Sequence, residues 1–173
     1  ESASATHDAH HVIGPLSLQI RRGERVALIG ASGAGKTTLL SLIAGEIQAS
    51  AGSVAAERCS WMTQRTELFR DSVRDNLRIA SPLAEDHNLW HVLDAAGLGA
   101  DIRALPQGLD TQLGEGGMGL SGGQARRLAL ARLLLSSASC WLRDEATEGL
   151  DANVVSDVLE RLANDSRNTD RTL

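Results

Sequence analysis

The chain has 173 residues, 42% of them hydrophobic, enough to bury a substantial core in one or two lobes. Its 17 basic and 22 acidic residues give a net charge of −5, and no Lys/Arg run exceeds two residues, so the footprint of a nucleic-acid binder is missing. No apolar stretch reaches 18 residues, no signal-peptide pattern opens the chain, and Cys59 and Cys140 have neither CxxC nor metal spacing; these features read as a globular cytosolic chain with two free thiols.

Residues 1–11 are small and polar and read as a frayed start, with His7, His10 and His11 solvated because no Cys or acidic cluster accompanies them. Residues 12–20 alternate in places, Leu16, Leu18 and Ile20 against Ser17 and Gln19, which predicts a half-exposed antiparallel strand. After a turn at 21–24, residues 25–29 (R-V-A-L-I) form the short apolar run of a buried parallel strand. Residues 30–38 then read G-A-S-G-A-G-K-T-T, which fits the phosphate-loop pattern with Gly30, Gly35, Lys36 and Thr37 at the defining positions. Residues 38–44 have helical character and stop at Gly45.

The chemistry of that loop is specific, and the flanking strand and helix separate it from a chance glycine-rich turn. Glycines at 30, 33 and 35 are expected to take positive φ and let the backbone approach an anion. Successive N–H groups would point inward, and the helix starting near Lys36 would add its positive end. Lys36, the only lysine in the chain, would reach the β- and γ-phosphates, and the Thr37 hydroxyl would ligate Mg²⁺. Ser32 and Thr38 complete the expected phosphate contacts.

Downstream, residues 52–54 and 58–62 read as short strands, followed by Gln64. Asp71 is the expected N-cap of a helix over 72–77. Residues 85–96 carry apolar side chains at 89, 90, 92, 93 and 96, a helical stripe ended by Gly97, with Trp90 read as core. A further helical piece covers 99–105, and the five-glycine stretch 108–119 reads as loop. Leu120-Ser-Gly-Gly-Gln124 opens a helix over 122–135. Ser121 is its N-cap candidate, and Gly122 and Gly123 leave bare first-turn amides, a second anion site. A strand over 139–143 ends in Asp144 and Glu145. The first would hold Mg²⁺ through water; the second could orient and deprotonate an attacking water. Asp151 precedes an amphipathic helix over 152–163.

Together these pieces resemble the nucleotide-binding domain of ATP-binding-cassette (ABC) transporters from about Val12 onward, with a spacing of 23 residues from Ser121 to Asp144 as the family requires. The resemblance implies an α/β fold: a P-loop NTPase core with an N-terminal antiparallel β part and an inserted helical subdomain, C-terminally truncated. The core lobe would comprise residues 12–66 and 136–173, and the signature subdomain residues 67–135. It further implies ATP and Mg²⁺ as ligands. Gln64 would be the glutamine that contacts Mg²⁺ and senses the membrane domain, Asp144 and Glu145 the Walker B pair, and Asp151 part of the D-loop. Ser121, Gly122, Gly123 and Gln124 would touch the γ-phosphate held by an opposite protomer. The implied partners are a second nucleotide-binding domain, in a homo- or heterodimer with the heterodimer favoured, and the transmembrane domain of the same transporter at the cytoplasmic face of the membrane; nucleic acid is not among them.

The segment D110-T-Q-L-G-E-G-G117 resembles the one that exporter-type members place before the signature. More narrowly, L68-F, V73-R-D-N-L-R-I-A-S-P82 and D144-E-A-T-E-G-L-D-A152 are similar to heterodimeric cysteine/glutathione exporters of cytochrome bd assembly. Four departures stand out. The switch histidine would follow residues 171–173, Arg143 replaces an apolar strand residue, Ala146 replaces a proline, and no aromatic near residues 5–7 offers an adenine platform. They leave two alternatives beside an ATPase motor domain: a non-hydrolysing regulatory half of a heterodimeric exporter, and a soluble ABC ATPase without a transport role.

Overall fold

The computed structural model describes residues 3–7, 10–63, 67–117, 119–144 and 172. They fall into two compact units. Of the described residues, the first comprises 3–7, 10–61, 138–144 and 172; the second comprises 62–63, 67–117 and 119–137.

In the first unit, β1 (Ala3–His7) pairs antiparallel with β2 (His10–Leu16), His7 opposite His10 and Ala3 opposite Leu16. The expectation of a frayed start is therefore wrong for residues 3–7. A strand needs a ladder partner, and β2 takes residues 3–7 as that partner; small polar residues are accepted because strand preference reflects packing more than backbone. Helix α1 (Lys36–Ala44) buries Leu40 and Leu42, and Gly45 at φ 77° closes it by donating its N–H to Leu42 O. Strands β3 (Cys59–Met62) and β4 (Cys140–Arg143) form a two-stranded sheet, and Cys140 bridges in parallel to Thr172.

Residues 25–29 and 52–54 are not strands, contrary to expectation, and Ile29 is 95% exposed. An apolar run reads as a buried strand only if neighbours pair along both its edges. Among the described residues the β3–β4 ladder does not extend to either segment.

The second unit is helical. In α2 (Val73–Arg78) the N-cap is Ser72, whose Oγ accepts from Asp75 N; Asp71 instead stands one residue earlier, its carboxylate accepting from Ser72 N. The expected Asp71 cap is thus displaced by one position. Helices α3 (Asp86–Ala95) and α2 both pack on α5 (Gly122–Leu135), and α4 (Gly99–Ala104) packs on α3. Leu77, Leu89, Leu93, Leu98, Ile102 and Leu128 make the fully buried centre. Trp90 does not join them: it is half-buried, with the Arg103 guanidinium 4.6 Å above its ring. The stretch read as plain loop contains two 3₁₀ turns, Gly108–Asp110 and Glu115–Gly117.

Candidate nucleotide site and signature helix

Gly33 (φ 79°) and Gly35 (φ 85°) take the left-handed backbone expected of the loop. Gly30 does not, and its glycine is explained differently: a Cβ there would lie 3.2 Å from the Ala34 Cβ, so the small residue permits the loop to fold back on itself. The half-buried Lys36 draws the loop shut, Nζ donating to Gly30 O and Ala31 O at 2.8 Å each. The first helical bond of α1 runs from Leu39 N to Gly35 O, so the amides of residues 36–38 have no acceptor inside the helix. The first turn carries no acidic side chain and Gly35 offers no cap. The result is a positive helix end behind a ring of backbone, suited to an anion.

The Thr37 hydroxyl donates to Asp144 Oδ2 at 2.6 Å, joining α1 to the end of β4 across 107 residues of sequence. Asp144 is only 6% exposed. Hydroxyl and carboxylate oxygens at one point form the hard-donor set that Mg²⁺ takes together with phosphate oxygens, so these residues fit that ion. Ser32 and Gly33 lie exposed on the loop, and Thr38 is half-buried in the first turn. Gln64, Glu145 and Asp151 lie outside the described residues.

Burial leaves its mark beside Asp144. Arg143 Nη1 is buried with no hydrogen-bond partner among the described residues, and desolvation lowers the guanidinium pKa. At the start of β4, burial and then the neighbouring Cys59 thiol push Cys140 up to about 12.

Ser121 and Gln124 belong to the second unit and form a reciprocal capping box. Ser121 Oγ accepts from Gln124 N at 3.2 Å, and Gln124 Oε1 accepts from Ser121 N at 2.9 Å. A side chain on Gly122 would meet nothing within 4 Å, so the turn is open on that side. The expectation that Gln124 contacts nucleotide meets a side chain already engaged, since its Nε2 donates to Asp101 Oδ1 at 3.2 Å. The capping box is legible in the sequence as a spacing of three, but Asp101 and Arg127 beside it were missed, because a contact across 23 residues has no local signal. The segment before the signature is tied to α2. Val73 N donates to Thr111 O, Leu113 N donates to Asp71 O, and Arg74 pairs with Asp86 and Asp110.

Among known proteins, the sequence profile of the ABC transporter family matches residues 13–148. The chain is 42% identical over 162 residues to the glutathione/L-cysteine transport system ATP-binding/permease protein CydC of Escherichia coli (strain K12), covering 86% of this chain and 28% of that protein. It is 34% identical to an ATP-dependent lipid A-core flippase of Desulfotalea psychrophila (93% and 31%), and 36% identical to the mycobactin import ATP-binding/permease protein IrtB of Mycobacterium tuberculosis (94% and 30%). Its fold matches the structure of a bacterial Atm1-family ABC exporter with ATP bound, TM-score 0.90 at 29% identity, covering 98% of this chain and 32% of the other. The chain therefore spans less than a third of the length of these relatives. With the profile matching most of its length and the ATPase fold reproduced, the chain belongs to the ABC transporter family as an ATP-binding domain.

Proposed function

We propose that this chain is the ATP-binding and hydrolysing motor domain of an exporter. The observation that carries the reading is the Thr37–Asp144 hydrogen bond behind a loop that Lys36 holds closed. Residues 12–66 and 136–173 act as the catalytic lobe, and residues 67–135 as the signature lobe. Gly30, Ser32, Gly33, Gly35, Lys36, Thr37 and Thr38 cradle the triphosphate. Thr37 and Asp144, with Gln64, would hold Mg²⁺, which would supply neutralising charge to the phosphate oxygens. Glu145 takes the proton of the water that attacks the γ-phosphorus, and ADP leaves. Ser121, Gly122, Gly123 and Gln124, with Asp151, complete the site of a second nucleotide-binding domain. ATP held by both halves closes the pair, and loss of the γ-phosphate releases it.

The identity to the Escherichia coli glutathione/L-cysteine transport protein supports a small thiol, cysteine or glutathione, as substrate, and the likeness of residues 68–82 and 144–152 to heterodimeric exporters supports a sister chain as partner. Phe69, Ile79 and Leu83, apolar yet 53%, 53% and 94% exposed, support docking by the membrane domain on the second unit. The second reading, a nucleotide clamp that does not hydrolyse, draws on Arg143 Nη1, buried next to Asp144 with no partner among the described residues. Turnover of Mg·ATP by the intact protein separates them. Glu145→Gln should abolish turnover and trap an ATP-bound dimer; a wild type that binds ATP with no turnover supports the clamp. Uptake of labelled glutathione and cysteine into inverted vesicles tests the substrate.

A further inference from the structure

The start of α5 is held from outside the helix. Gln124 spends its carboxamide oxygen on Ser121 N and its nitrogen on Asp101 Oδ1 in α4, at 2.9 and 3.2 Å. The other Asp101 oxygen faces Arg127 Nη1 at 3.4 Å. Arg127, one turn along α5, also donates to Gly97 O at 2.8 Å and to Gly123 O at 3.4 Å. Both side chains are partly buried, Asp101 37% and Arg127 20% exposed, so water competes only in part for these bonds. The glycines at 122 and 123 contribute no side chain of their own, and they are the residues whose amides must be fixed.

We propose that Asp101 is a positioning residue: with Arg127 it latches Gln124 and the Gly122–Gly123 turn to α4 and the α3–α4 junction, presetting the signature amides for phosphate. This rests on the reading of the signature as the contact that seals a nucleotide held elsewhere. Preorganised donors cost no ordering when the anion arrives, so loosening the latch weakens capture of ATP while leaving the reacting groups alone.

The test compares wild type with Asp101→Ala and Asp101→Glu in the intact protein, by ATP kinetics and by amide hydrogen exchange. Asp101→Ala should raise the KM for ATP about tenfold with kcat within about twofold, and Asp101→Glu should restore most of the loss. Exchange at residues 122–125 should quicken about tenfold or more, while the α3 core at 89–93 keeps its protection. A fall in kcat at unchanged KM, or unchanged exchange at 122–125, overturns the latch. If the wild type shows no turnover, the motor reading fails and exchange alone decides the latch.

Discussion

Burial favours the uncharged form at both ends of β4, and the two side chains there answer in opposite directions. Arg143 loses basicity, and Cys140 holds its proton up to about 12. Because Cys140 titrates from 9.0 when unperturbed, the unfolded chain sheds this proton first; its contribution to stability is complete below pH 9 and is lost as pH rises towards 12. A denaturant midpoint that stays flat from pH 9 to 12 in wild type and in Cys140→Ser alike would contradict this. For Arg143, replacement by Leu removes a buried donor that has no partner among the described residues, and stability should rise by about 1 kcal/mol, the low end for a partly buried charge, read from chemical unfolding. The arginine is plain in the sequence as a misfit within an apolar strand, but that Nη1 meets no partner among the described residues is a fact of packing. Gly30 teaches the same lesson: the motif names the residue, and only the 3.2 Å approach to Ala34 says why it is glycine.

At the level of elements, the reading of the chain succeeds where local chemistry is sufficient. Helix α5 begins and ends as expected, at Gly122 and Leu135, because the Ser121–Gln124 box starts it and an apolar pattern sustains it. α1 likewise ends at Gly45. The reading fails where a partner decides: residues 3–7 become a strand because β2 is beside them, and residues 25–29 do not become one despite their apolar run. Asn76 shows how much a single polar group can hold. It is 1% exposed; its Oδ1 accepts from Phe69 N, and its Nδ2 donates to Phe69 O and Ser72 O near 3.0 Å. Asn76→Ala should therefore cost about 3 kcal/mol, from lost bonds and stranded backbone groups, and lower the Tm. Gly117 is equally constrained: at φ 83°, an added Cβ would come 2.7 Å from Leu68 Cδ1. Gly117→Ala should destabilise the second unit by about 2 kcal/mol, seen as an earlier unfolding transition.

For the molecule as a whole, phosphate loop and signature sit in different compact units, Lys36 in the first and Ser121 in the second. What the sequence makes legible of the site is the part encoded by short spacings: the loop, the capping box and the Asp144 carboxylate at the end of β4. The approach of Asp144 to Thr37 depends on how β4 returns to α1, and no local pattern encodes it. The most direct test is calorimetric titration of Mg·ATP into wild type and Lys36→Ala. The expected result is one nucleotide per chain for the wild type, with affinity falling at least about a hundredfold, roughly 2.7 kcal/mol, in the variant. Equal affinity in the two proteins, or no binding by the wild type, would contradict a triphosphate site at residues 30–38.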